Sequence, residues 1–186
     1  MNTVHISSPI DAEIIEKLKA GTWVLISGVI YTARDMAHHR LIQALDSGEK
    51  LPFDINGQTL YYMGPSPAKP GQIIGSAGPT TSSRMDGYTP RLIAAGLRAM
   101  VGKGNRSPEV KEVMRKYKAI YFATIGGAGA LLHKSIKQVE VVAYKELGAE
   151  AILRLEVKDF PAIVAIDIYG GDLFEQGKAK YRRGRI

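Results

Sequence analysis

Apolar residues follow two periods in this chain, and the elements they predict alternate along it. Residues 11–20 carry Ile14, Ile15 and Leu18 on one face of a 3.6-residue repeat, with Pro9 outside and Gly21 as the stop, which predicts a helix. Residues 22–31 (TWVLISGVIY) are rich in β-branched and aromatic side chains and predict a strand. A second helix is expected over 35–45, with Asp35 as its cap and Gly48 beyond its end. Residues 51–71 are dense in Pro and Gly around one strand at 58–63, and 72–76 predict another. Residues 85–95 space Met85, Tyr88, Leu92 and Ala95 as a helix stopped by Gly96, and 97–101 follow as a short strand. Ser107 and Pro108 make a cap followed by proline at the first helical position, so a helix is expected to about Tyr117. Strands at 119–125, 138–143, 151–157 and 162–168, a turn at 126–129 opening a short helix, and a helix from Leu173 are also expected. The class is therefore mixed α/β with layered sheet and helices, and strand order does not follow.

Composition narrows the class. With 45% apolar and 23% charged residues, the chain is globular rather than disordered. Its 186 residues suit a single domain over 1–186, long enough to bury a core without staples. There is no cysteine, which excludes a disulfide framework, a thiol nucleophile and any metal cluster held by this chain's own thiolates. Asp11, Glu13 and Glu16 interrupt the segment where a signal peptide would be apolar. No uncharged run approaches the roughly 20 apolar residues of a membrane span, so a cytoplasmic protein without a membrane segment is expected.

Lysine and arginine outnumber the acids 25 to 18, a net +7. Part of the excess is a basic tail, Lys178, Lys180, Arg182, Arg183 and Arg185, which reads as a solvated terminus or as a nucleic-acid contact. The balance also suits attraction of an anionic substrate.

The most informative segment is GSAGPTTSSRMD at 75–86, a strand end, a Gly-Pro turn, four hydroxyls in a row and a helix start. Unpaired N–H groups at that start, with the hydroxyls of Thr80, Thr81, Ser82 and Ser83, would cradle a carboxylate or phosphate. Arg84 lies four residues after Thr80 and shares its face if the helix has begun, offering a carboxylate a flat bidentate partner. The alternative is that the hydroxyls only cap the helix. Arg34, in YTARD at 31–35, again joins a strand to a helix; its other reading is a surface arginine paired with a neighbouring acid. Lys103, flanked by Gly102 and Gly104, marks a third junction, where the backbone approaches a ligand or simply turns. Three such junctions, each with a cation, suit a dicarboxylate, which needs two anion sites with chemistry between them.

Other signals are weaker. Gly126-Gly127-Ala128-Gly129 lacks the G-x-G-x-x-G register of a dinucleotide loop and the acidic residue beyond it. His38 and His39 are helix neighbours that point apart, expected at the surface or half-buried rather than as a metal pair. His133 reads as structural and Trp23 as core, and no Ser-His-Asp triad can be built.

The segments SGVIYTARDMAHHRL, GPTTSSRMD, GKGNRS, IGGAGALL and LEVKDFPAIVAID carry a resemblance that covers nearly the whole chain. It resembles the β subunit, or C-terminal domain, of class I iron–sulfur fumarate hydratases and the related L-tartrate dehydratases. The resemblance implies a three-layer β/β/α swivelling domain working against an α subunit in a hetero-oligomer. It implies that this partner, not this chain, holds a [4Fe–4S] cluster through three cysteines, with one open iron as Lewis acid. Arg34, Arg84 and Lys103 resemble the family's carboxylate-binding residues, and Thr80 the hydroxyl proposed as the base for the C3 proton of malate. Thr81, Asp86 and Asn105 stand beside them, Thr81 as an alternative base. Ser82 and Ser83 stand where the fumarase form has small residues, and Ala33 where many relatives have glycine. Asn105-Arg106 after Lys103 looks more like the fumarase branch than the tartrate one.

The implied function is reversible hydration of fumarate to L-malate by a hydro-lyase whose β subunit is inactive alone, with an L-tartrate dehydratase β subunit as the alternative. A basic nucleic-acid-binding module is the rival of another class. Cations sitting singly at strand ends, rather than in a stripe with exposed aromatics, count against it. Thr80, Arg84 and Lys103 count against a relative that only mediates assembly.

Overall fold

The computed structural model describes residues 3–125 and 127–182. β1 (Thr3–Ser8) lies parallel to the first half of β2 (Trp23–Thr32), and β3 (Thr59–Tyr61) lies parallel to the far end of the same β2 edge. β4 (Ala99–Gly102) and β5 (Ile120–Ala123) extend this parallel set. β6 (Ile136–Ala143) pairs antiparallel with the first half of β7 (Ile152–Ile166), and β5 takes the second half. The other edge of β7 runs antiparallel along β2, from Trp23 opposite Ile163 to Tyr31 opposite Arg154. The circuit β2–β3–β4–β5–β7 thus closes into a five-stranded barrel-like arrangement, with β1 and β6 hanging from the seam.

Strand alternation sorts the side chains into two cores. Tyr61, Val101, Ile120 and Phe122 join Ile26, Ile30, Leu155 and Phe160 in one cluster. Their neighbours Leu60, Met100 and Tyr121 face the other way, into a second cluster. That cluster is completed by three helices: α2 (Asp35–Ser47) through Ala37 and Leu41, α3 (Thr89–Ala94) through Leu92 and Ile93, and α4 (Pro108–Tyr117) through Val110 and Met114. Each fully buried Leu, Ile or Phe stabilises this packing by roughly 1.5–3 kcal/mol, so a one-residue slip, which exchanges the faces, is strongly disfavoured. Because β2, β3 and β4 are parallel, Thr32, Tyr61 and Gly102 end on one rim, the position ligands favour in α/β sheets.

The mixed α/β class is observed, and several element boundaries differ from expectation. The first helix, α1, is only Ala12–Lys17, because Leu18 turns extended to bury its side chain. Residues 72–76 form no strand: the N–H of Gln72 bonds back to Lys69, and a Cβ on Gly75 would lie 2.2 Å from the Ser66 carbonyl, so no neighbouring strand fits. The helix expected at 85–95 is a 3₁₀ turn, Ser82–Met85, followed after Gly87 by α3 with Pro90 in its first turn. The two strands expected at 151–168 are one, β7. Asp159, at φ 51°, is absorbed as a bulge with its N–H on Ser27 Oγ (3.0 Å), and pairing resumes at Phe160.

Trp23 is not core: it opens β2 and is 37% exposed. His38 is fully buried rather than half-buried, while His39 is exposed. The expected cap and proline of α4 are both present, with Ser107 Oγ accepting from the Val110 N–H. A short helix α5 (Gly129–Leu132) follows β5, and α6 (Leu173–Tyr181) carries Lys178 and Lys180 on its exposed face. Gly126, Arg183 and Arg185 lie outside the described residues. Among the described residues no helix is long and apolar enough to cross a membrane.

Candidate active site

Past β3 the chain makes a long excursion and returns across the rim. Pro79 bridges Met63, the Thr80 N–H donates to the Tyr62 carbonyl (2.7 Å), Thr81 bridges Lys103, and the Ser82 N–H donates to the Lys103 carbonyl (2.9 Å). Residues 79–82 are therefore stitched between the ends of β3 and β4. This brings Thr80, Thr81, Arg84 and Lys103 together on one rim. Thr80 is half-buried, Thr81 exposed, and neither side chain makes a hydrogen bond among the described residues.

The condition for a shared face, a helix already begun at Thr80, is not met. Instead the chain makes a four-residue 3₁₀ turn with no side-chain cap, so the hydroxyls do not cap it, and Thr80 and Arg84 share no helix face. The third hydroxyl has a different task. Ser82 Oγ is buried against the Tyr121 hydroxyl (2.9 Å), which donates to the Gly104 carbonyl (2.8 Å). Burial pushes the Tyr121 phenol well up, so it stays a donor. A Cβ on Gly102 would sit 2.0 Å from Ser82 Oγ and 3.0 Å from the Tyr62 ring, so any larger residue there displaces the Ser82 side chain.

Two of the three cations are already engaged. Arg84 donates from Nε to Asp35 Oδ1 (2.9 Å), and its Nη2 lies 2.8 Å from Oδ2 as an ion pair. Arg34, not Asp35, stands at the N-cap position of α2, without a side-chain capping bond, and its Nη2 lies 3.4 Å from Glu150 Oε1 and 3.9 Å from Asp35 Oδ2. Its guanidinium packs on Gly64, where a Cβ would stand 2.8 Å from Nη1. Glu150 is held in turn by the Met36 N–H (2.8 Å). Lys103 has no ion pair among the described residues. Three cations less two carboxylates leave this rim at +1. Arg84 is 49% exposed, where a pair contributes about 0–1 kcal/mol, so an arriving carboxylate competes for it easily.

Behind the rim lies a buried cation that no local pattern in the chain could have placed. The Arg106 side chain is 0% exposed and donates from Nε to Asp86 Oδ1 (2.7 Å), from Nη2 to Thr89 Oγ1 (2.8 Å) and from Nη1 to the Tyr62 hydroxyl (3.2 Å). The Tyr62 and Tyr121 rings each centre 5.2 Å from its guanidinium carbon. Burial opposes its charge, but Tyr62 and Asp86 outweigh that and raise its pKa. Asp86 uses its second oxygen on the Ser107 N–H (2.7 Å), and Asn105 Oδ1 accepts from the Arg106 N–H (2.8 Å). Asp86 and Asn105 thus brace the loop carrying Lys103 instead of facing the open rim. His38 Nδ1 bonds the Arg34 carbonyl (2.8 Å), and burial pushes the imidazole down to about 4, so it is neutral. No group of three or more His, Cys, Asp or Glu residues suited to a metal ion occurs among the described residues.

The family model described as Fumarase C-terminus matches residues 1–177. The chain belongs to the fumarase C-terminus family. Its similarity to "Fumarate hydratase class I, aerobic" of Escherichia coli K12 is 43% identity over 169 residues, covering 88% of this chain and 31% of that protein. It is 42% identical to the "Putative L(+)-tartrate dehydratase subunit beta" of Methanocaldococcus jannaschii, covering 89% of this chain and 88% of the relative. With the "L(+)-tartrate dehydratase subunit beta" of Escherichia coli K12 it shares 32%, over 97% and 90% of the two chains. This fumarase C-terminus chain thus spans about 31% of the class I fumarate hydratases it matches, but nearly all of the two β subunits.

Proposed function

We propose that the chain is the β subunit of a heteromeric hydro-lyase that reversibly hydrates fumarate to L-malate in the cytoplasm. The observation that carries this is the stitch of residues 79–82 between β3 and β4, which gathers Thr80, Arg84 and Lys103 on one open rim beside Arg34. Near full-length similarity to β subunits supports a role as one subunit of two. In this reading residues 1–186 are one three-layer β/β/α swivelling domain. The two cores, one within the strand circuit and one beneath the helices, support the layering.

The iron–sulfur cluster of such an enzyme does not fit this chain, which has no cysteine and no metal-ligating cluster among the described residues. It belongs to the α subunit, where it supplies Lewis acidity. This chain's share of the chemistry is the C3 proton and the carboxylate beside it. Removing that proton builds a dianion, and fixed cations lower its energy where the charge develops. Arg84, Arg34 and Lys103 bind the carboxylates, the first by exchanging Asp35 for substrate. Thr80 Oγ takes the proton from malate and returns it to fumarate. A hydroxyl is protonated at neutral pH, and with no helix start beside it Thr80 relies on the flanking cations to favour its alkoxide. Thr81, exposed one residue on, is the alternative base, while Asp86 and Asn105 position Lys103 through Arg106. The assembly acts on a dicarboxylate and uses neither nucleic acid nor a membrane.

A second reading, L-tartrate dehydration, is favoured by the relatives whose length this chain nearly fills. Anaerobic co-expression with the cluster-bearing subunit and an assay of fumarate absorbance separates the two. Consumption of fumarate supports the proposal; dehydration of tartrate with fumarate untouched overturns it.

A further inference from the structure

A second feature of the surface has no part in the chemistry above. An apolar hollow of about 300 Å³ opens between the start of β2, the end of β5, α5 and β7, lined by Trp23, Ile125, Ala128, Leu131, Pro161 and Ile163. Ile125 is 68% exposed, Leu131 59% and Trp23 37%, a contiguous group of large apolar side chains of the kind that marks interaction sites. An adjoining hollow shares Leu131 and Pro161 and is ringed by Lys134, Lys137 and Lys158. Its one carboxylate, Asp159, already faces His5 at 3.5 Å.

The walls of the groove are tied to the candidate active site. The Thr124 N–H donates to the carbonyl of Gly102, the residue before Lys103 (2.9 Å). The Ala77 N–H donates to the carbonyl of Gly129 at the start of α5 (3.2 Å), three residues before Thr80. The groove's wall and the segments that carry Lys103 and Thr80 are therefore backbone-bonded neighbours. The class I fumarate hydratases that this chain matches carry about two-thirds of their own length beyond the matched part, and in the two-subunit reading the corresponding partner has to reach the rim that this groove adjoins.

We infer that this groove docks the cluster-bearing subunit through an apolar side chain flanked by carboxylates, and that this seats the partner beside Thr80 and Lys103. The apolar floor accepts the anchor and the three lysines select acidic flanks, the division between buried core and charged rim common to specific interfaces. The inference rests on the two-subunit reading of the function.

The test uses the cluster-bearing subunit encoded in the same genome, co-purified anaerobically with this chain, with affinity measured by titration. Leu131→Glu should weaken assembly at least about tenfold, and the pair Lys134→Glu/Lys158→Glu by roughly three- to tenfold. Added salt should weaken the wild-type pair but not the lysine variant. All three residues are exposed, so unchanged melting of each variant alone is expected and separates docking from folding. Undiminished assembly of Leu131→Glu overturns the inference. So does a wild-type homodimer that Leu131→Glu dissolves, which would make a second copy the occupant. Fumarate turnover by the wild-type pair is read separately: tight, groove-dependent assembly without turnover removes the proposed activity and leaves the docking site standing.

Discussion

Replacing Arg106 by methionine is the sharpest test of how the rim is held. The substitution keeps an unbranched stem in the space between Tyr62 and Tyr121 but removes the guanidinium, leaving Asp86 without its 2.7 Å partner. Stranding one member of a buried pair costs about 3–5 kcal/mol. Asp86 is 14% exposed and keeps the Ser107 N–H, and Thr89 Oγ1 keeps its bond to the Met85 carbonyl, so about 3 kcal/mol is expected. For a chain of this length that is a fall of roughly 6–12 °C in Tm. Urea unfolding followed by far-ultraviolet circular dichroism measures it; the single tryptophan sits half-exposed in the apolar groove and is a poor reporter of this site. Arg106→Lys should recover less than half, because an ammonium cannot reach Asp86, Thr89 and Tyr62 together. A loss below about 1 kcal/mol for Arg106→Met would show that Asp86 simply turns to water. Arg106 would then not fix the Lys103 loop.

Gly102→Ala should destabilise by about 1–3 kcal/mol, since its Cβ meets Ser82 Oγ, and should lower turnover of the assembled enzyme more than Ser82→Ala does. Equal turnover of the two would separate the 79–82 stitch from catalysis. Arg84→Ala in the assembled enzyme should cost on the order of 2–4 kcal/mol in kcat/KM, the scale of one preorganised donor, and near wild-type turnover removes Arg84 from the site. His38 is buried and neutral with its pKa lowered from 6.5 to about 4, so the unfolded chain takes up the proton first. Its contribution is zero above pH 6.5 and grows to a loss of about 3 kcal/mol by pH 4. His38→Phe should flatten the stability curve over that window, and an unchanged slope refutes the assignment.

Local chemistry was legible in the sequence where neighbours alone decide it. Ser107-Pro108 starts α4, and Gly48 ends α2 at φ 71°, because capping needs only adjacent residues. The positions of Arg34 after β2 and of Lys103 after β4 were legible for the same reason, whereas the strand expected before Arg84 is absent. Their partners were not. Asp35 meets Arg84 from 49 residues away, and nothing near either residue marks the pair. Arg106 was visible only as one letter of GKGNRS, since its burial depends on Tyr62, Asp86, Thr89 and Tyr121 converging from separate elements. Thr80 and Arg84 do not share a helix face because bridges from Pro79 to Met63 and from Thr81 to Lys103 tie this stretch to the strand ends, a tertiary demand that outweighs local propensity. Likewise β7 reads as two strands until Ser27, 132 residues away, bonds the bulge at Asp159.

The closure of the circuit by β7 also sets an order of events during synthesis. Arg34, Thr80, Arg84 and Lys103 all leave the ribosome before Ile152, the first residue of the strand that seals β2 to β5. Until then β2 and β5 each present a bare edge, the kind of surface that templates pairing between chains. Long-range closures of this sort form slowly, because the intervening loop must be ordered first. A nascent chain stalled in this interval would carry all four proposed site residues on an unsealed sheet, poised to pair with another copy before the rim is complete.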